Sequence, residues 1–154
     1  MEEARLFYVN VLGCTEVTQR LQLLHCKRQL LRHGESLAVV QGRSASTWQD
    51  FNFYGHQIVA HLVVGYQATS NENAVDGDAV PVPHFGAALS VDQFHALAKR
   101  VKDAGVPFVI EPHIRFVGAP GEQWTMFFRD PSGNSLEFKA MTHPDNLFAK
   151  YRVD

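Results

Sequence analysis

Glu137 is the residue whose setting most invites chemistry. It lies in Ser135-Leu136-Glu137-Phe138-Lys139, a short apolar run with one carboxylate in its middle. Alternation along a strand puts Leu136 and Phe138 on one face and Glu137 on the other with Ser135 and Lys139. If a helix covers the leucine–phenylalanine face, Glu137 points into the concave side of a curved sheet and is a candidate site residue. Of the eight histidines, His61 shares a strand face with Val59 and could shuttle a proton near neutral pH. His84 opens a strand and, taken alone, reads as an ordinary strand-start histidine. His113 and Arg115 face the same way along one strand. Arg115 could pair a substrate carboxylate, in competition with a rim ion pair to Glu111 or Glu122. His56 falls at a turn, His95 on an exposed helix face, and His25 and His33 stand in a stretch with no site character. P-loop, GxGxxG, GxSxG and HExxH patterns are absent from the sequence.

These residues need a scaffold, and the chain suggests one made of repeats. Glu2–Leu12 reads as a short helix with Leu6, Phe7 and Val11 on one side and Gly13 as its stop. Thr47–Tyr54 and Gln57–Val64 read as a hairpin joined at Gly55-His56. Gly65–Val80 reads as a long polar loop, a module boundary or a lid. Pro83–Leu89 is a predicted strand. Ser90 with Gln93 forms a capping box, opening a helix with Phe94, Leu97, Ala98 and Val101 on its apolar stripe and Gly105 as its end. Strands follow at Phe108–Val117, Gln123–Arg129 and Ser135–Met141, then a helical turn within Pro144–Tyr151. The turn Asp130-Pro131-Ser132-Gly133-Asn134 has the residues that tight turns need. The second half is therefore β-α-β-β-β. The first half looks like the same unit without its opening strand, which makes an internal duplication the organising expectation.

Composition sets the outer bounds. The chain has 154 residues, 45% hydrophobic and 19% charged, enough for one domain with a single core. Its net charge of -2 gives no nucleic-acid footprint. No apolar run approaches the roughly 18–20 residues of a membrane span, and the acidic start Met1-Glu2-Glu3 lacks a signal-peptide core. Cys14 and Cys26 read as free thiols in a reducing compartment. A cytoplasmic location is expected.

The motifs FYVNVLGC, FNFYGHQIVAHL, VPHFG and GEQWTMFFRDPSGNSLEFK together resemble the vicinal-oxygen-chelate superfamily. Glyoxalase I, extradiol dioxygenases and bleomycin-resistance proteins belong to that group. The resemblance implies an α+β fold of paired βαβββ modules whose curved mixed sheet encloses a concave cleft. The first module, residues 1–66, would lack its opening strand, and the second, 81–142, would be complete. It also implies a divalent metal held by side chains from the first and last strands of each module, here His84 and Glu137. His61 would be a third ligand or an acid/base group beside the metal. Phe127, Arg115 and His113 would line the substrate side. Iron(II) suits a dioxygenase; zinc, nickel or manganese suits a glyoxalase-like lyase. Phe127 departs from the extradiol pattern, which places a hydrogen-bonding tyrosine about here. The family also forms dimers, so a homodimer is expected.

Val17–Gln41 does not match this pattern. It holds six leucines (21, 23, 24, 30, 31 and 37), no phenylalanine and no proline, and it is locally basic. Deleting it would join LGCTE to GRSASTWQDFNFYGHQ and restore the family's short connection. Valine codons begin with GT and glutamine can be CAG, so an in-frame retained intron is one reading; a genuine insertion is the other. Three functional readings follow: a metal-dependent enzyme acting on a small molecule with neighbouring oxygens, a metal-free sequestering module lined by Trp48, Phe51, Phe53, Trp124 and Phe127, or an inactive product.

Overall fold

The computed structural model describes residues 1–16, 44–69 and 71–149. The predicted block Val17–Gln41 lies outside them, as does Cys26. The described chain is mixed α+β and mostly strand, in two compact units, Met1–Tyr66 and Gln67–Asp154.

In the first unit, α1 (Glu2–Leu6) continues as a π-helical turn over Phe7–Val11, closed by Leu12 N–H donating to Phe7 O at 3.2 Å. The wider turn rotates the buried face. Phe7, Tyr8 and Leu12 are buried and Leu6 is exposed, where helical spacing from Glu2 to Leu12 predicts Leu6, Phe7 and Val11 inward. Gly13 ends the segment at φ 75°. Two short strands, β1 (Thr15–Glu16) and β2 (Ser44–Ala45), pair antiparallel with β3 (Trp48–Phe53), which pairs with β4 (His56–His61). The β3–β4 turn is Tyr54-Gly55, both at positive φ (51° and 89°), one residue earlier than predicted. Phe51 stacks on Tyr8 with ring centroids 5.1 Å apart, and Cys14 is buried.

The second unit begins with a hairpin, β5 (Asn71–Val75) and β6 (Asp78–Val82), inside the predicted polar loop. Its turn, Asp76-Gly77, has φ 49° and 84°, and Asp-Gly is among the strongest short-range hairpin signals. Lack of alternation in NENAV hides the strands from a periodicity reading. Next come β7 (His84–Ala88), α2 (Val91–Asp103), β8 (Phe108–Arg115), β9 (Gln123–Arg129) and β10 (Ser135–Met141), with sheet order β7-β10-β9-β8. Only β7 and β10 are parallel, the arrangement a strand–helix–strand crossover permits. The Ser90–Gln93 capping box is formed at both of its hydrogen bonds. Phe94, Leu97 and Val101 of α2 are buried, and Phe94 meets Trp124 at 6.0 Å between rings. Leu136 and Phe138 are buried on that same face. A 3-10 turn over Pro144–Phe148 follows.

The two units share one strand order. β4-β3-β1/β2 matches β10-β9-β8, and no described strand of the first unit takes the place of β7. Thr15 and Glu16 face Asn52 and Phe51, while Ser44 and Ala45 face Gln49 and Trp48. β1 and β2 thus occupy successive stretches along β3, with only the place opposite Asp50 between them. We read them as two pieces of one strand interrupted by the intervening segment. Removing Val17–Gln41 leaves Gly42 and Arg43 for that single place, the residue count of a β-bulge. The shortened chain is expected to fold cooperatively, with a melting midpoint no lower than the full chain's, since fewer residues separate β1 from β2. A shortened chain that is soluble but unfolded would show that the segment is needed.

Candidate functional site

The site grows from the turn that starts β10. Asp130 Oδ1 accepts from the amides of Ser132 and Asn134, both at 2.9 Å, and its Oδ2 accepts from Asn134 Nδ2 at 2.9 Å. Gly133, at φ 84°, completes the reversal. This turn fixes the register in which Glu137 lies opposite Phe127 on β9 and Gly86 on β7. Across the sheet, Ser135 lies opposite His84, so His84 and Glu137 reach the same face from neighbouring strands. Their Nε2 and Oε2 atoms are 3.5 Å apart.

His84 Nδ1 lies 2.7 Å from Pro81 O. A carbonyl only accepts, so Nδ1 donates its hydrogen to Pro81 O and Nε2 is the nitrogen turned toward Glu137. The edge of the imidazole also meets the Phe127 ring, 5.2 Å between centroids at 84°. An imidazole with its far nitrogen on a backbone carbonyl and its near nitrogen beside a carboxylate has the donor chemistry of a metal site. Glu137 is mostly buried, its side chain 11% exposed; Oε1 faces Thr125 Oγ1 at 3.5 Å, and Oε2 is 3.1 Å from Lys139 Nζ. The pair fits two positions around a divalent ion. Among the described residues no group of three or more His, Cys, Asp or Glu side chains converges as a metal site.

The β5–β6 hairpin covers part of this face. Val80 packs with Ile110 and Phe127, and Val75 joins them. Arg115, only 4% exposed, donates from Nη2 to Val75 O at 2.8 Å, and Asp76 Oδ2 accepts from the Phe116 amide at 2.7 Å. Asp78 Oδ2 stands 3.2 Å from His113 Nε2 and 3.4 Å from Arg115 Nε. His113 and Arg115 thus meet on Asp78, and His113 Nδ1 also lies 2.8 Å from Glu111 O. Glu122 accepts from the Gly118 amide at 2.8 Å, which lowers its carboxyl pKa. The carboxylate that holds Arg115 lay in what read as a loop.

A family model of the glyoxalase/bleomycin resistance protein/dioxygenase superfamily matches residues 1–138. The chain belongs to that superfamily. Among solved structures, it is similar to a glyoxalase/bleomycin resistance protein/dioxygenase from Alicyclobacillus acidocaldarius, with 26% identity over 96% of this chain and 88% of that one and a TM-score of 0.66. It also shares the fold of a point mutant of the fosfomycin resistance protein FosX from Listeria monocytogenes, complexed with Mn(II) and 1S,2S-dihydroxypropylphosphonic acid (16% identity, 96% and 88% coverage, TM-score 0.58). A glyoxalase/dioxygenase from Nostoc punctiforme is a third, at 14% identity, 92% and 84% coverage and TM-score 0.56. No functionally curated protein matches in sequence.

Within this superfamily fold the remaining candidates fall as follows. His61 ends β4 of the first unit, exposed and opposite Trp48. Phe127 is fully buried under the hairpin and backs His84. Trp124 faces α2, touching Phe94 and His95, so it does not share a cleft with Phe127. Phe51 and Phe53 are buried. Trp124 and Phe127 thus line opposite faces of the second unit's sheet. No helix among the described residues is long and apolar enough to cross a membrane.

Two contributors went unread in the sequence. Asp78 belongs to the hairpin already discussed. Gly86 sits inside β7, where a Cβ would stand 1.5 Å from Glu137 O. A glycine within a strand signals close backbone approach, and here it lets β7 lie against the residue that carries the carboxylate. Gly86→Ala is expected to destabilise the protein by at least about 3 kcal/mol in urea unfolding. An unchanged midpoint would mean that β7 does not lie where described. Asp78→Ala leaves the nearly buried Arg115 without its counter-charge and should cost about 2 kcal/mol. Hydrogen exchange should then rise in Asn71–Val82 before the rest of the sheet; uniform exchange would show that Asp78 does not hold the hairpin.

Proposed function

We propose that this chain is a divalent-metal-dependent enzyme of the vicinal-oxygen-chelate type, acting on a small molecule that presents two neighbouring oxygens. One observation carries the reading: His84 Nε2, aimed by the contact of Nδ1 with Pro81 O, faces the Glu137 carboxylate at 3.5 Å. His84 Nε2 and Glu137 Oε2 would hold the ion. Bound there, a divalent ion supplies Lewis-acid polarisation of the substrate's oxygens.

The chain's own residues do the rest. Pro81 O fixes the His84 tautomer, Phe127 fixes the ring plane, and Thr125 leaves Oε1 oriented so that Oε2 is presented to the site. Val80 and Phe127 exclude water from one wall. Phe127 offers no hydrogen bond, which favours glyoxalase-like or addition chemistry over ring cleavage by an extradiol route. Arg115 and His113 are assigned to holding the hairpin rather than to the substrate. The Mn(II) complex of the FosX mutant is consistent with a metal in such a fold.

A second reading, a metal-free binding module, has one observation in its favour: Lys139 already neutralises Glu137. Titration of Mn(II) into protein prepared without a polyhistidine tag separates the two. The metal reading expects one site per chain, weakened about tenfold or more in His84→Ala and in Glu137→Gln. Binding that neither substitution changes would reject it.

A further inference from the structure

Lys139 stands two residues beyond Glu137 on the same strand face, opposite Thr125. Its ammonium lies 3.1 Å from Glu137 Oε2, the same oxygen that faces His84 Nε2. Oε1 is turned away toward Thr125. The ammonium is therefore bound to the one carboxylate oxygen that a metal would use. The reason is electrostatic. A carboxylate with 11% exposure needs a nearby cation, and Lys139 Nζ at 3.1 Å stands closer to Oε2 than His84 Nε2 at 3.5 Å. Among the described residues, Lys139 is the permanent cation within ion-pair distance of Glu137. Its side chain is 31% exposed, so the ammonium can leave without being stranded from solvent.

We propose that Lys139 is a tethered competitor for the cation position on Glu137, and that once displaced it receives an anionic oxygen of the substrate. This rests on the metal reading above and deepens it. A divalent ion on Oε2 and an ammonium on the same oxygen repel each other, so metal alone binds against the lysine. A ligand that brings negative charge together with two neighbouring oxygens relieves that repulsion, because its charged oxygen takes the ammonium. Metal and ligand then favour each other's binding, and the coupling is reciprocal. The substrate class this selects is a small oxyanion, such as a 2-hydroxy or 2-keto acid, over a neutral diol.

Mn(II) affinity measured with and without lactate, in the wild type, Lys139→Met and Lys139→Arg, tests this. Lactate carries one charge and two neighbouring oxygens and chelates Mn(II) only weakly in solution. Lys139→Met should bind Mn(II) about tenfold more tightly than the wild type without lactate, the scale of one partly buried ion pair, while Lys139→Arg stays near the wild type. Lactate should tighten Mn(II) binding about fivefold or more in the wild type and hardly at all in Lys139→Met. Should the methionine variant not fold, Lys139→Gln replaces it with the same expectations. Equal or weaker Mn(II) binding in the neutral variant overturns the competitor role while the metal reading stands. An equal lactate effect in both proteins overturns the oxyanion role. If neither the wild type nor the neutral variant binds Mn(II), the metal reading fails and takes this proposal with it.

Discussion

The desolvation of one carboxylate organises this unit. Glu137 is on a strand paired on both sides, in a sheet covered by α2 on one face and by the β5–β6 hairpin over part of the other. A charge there is tolerable only if its oxygens are engaged. Thr125, His84 and Lys139 meet that need from three directions. Each is there for a backbone reason. Thr125 is the cross-strand neighbour of Lys139, His84 is brought in by the parallel pairing of β7, and that pairing depends on the missing side chain of Gly86.

The hairpin is bound to this arrangement by its own electrostatics. Its inner apolar contacts are few, Val75 and Val80 against Ile110 and Phe127. Polar contacts supply the rest: Arg115 to Val75 O, the Phe116 amide to Asp76, and Asp78 beside both His113 and Arg115. Because Pro81 O orients His84, anything that frees the hairpin also frees the imidazole. The covering layer and the donor pair are one mechanical system.

Much of the second unit was legible in the sequence because its signals are local and agree with one another. The capping box, the apolar stripe of α2 and the Asp130 turn each specify their own geometry, and the strand alternation around Glu137 follows from them. The hairpin was not legible by periodicity, since NENAV has no alternation and β5 is exposed along most of its length; only the Asp-Gly pair announced it. Arg115's partner was missed for the same reason, and the reach of Lys139 back to Glu137 was not drawn from their shared face. The π-helical turn was invisible because one extra residue in a turn leaves no mark on composition. It changed which of Leu6, Tyr8 and Val11 is buried.

Parity explains why a motif can fix a fold and leave its chemistry open. The Asp130 turn decides where β10 begins, and a slip of one residue would send Leu136 into the covered cup and Glu137 under α2. The turn residues therefore specify which positions face the site: 135, 137, 139 and 141 on β10, with 84 and 86 on β7. They say nothing about what those positions carry. Histidine at 84 and glutamate at 137 make a donor pair. Lysine at 139 gives the same pair a resident cation. Three side chains on one face, rather than the turn that aims them, determine whether this sheet favours a metal, an oxyanion or both together.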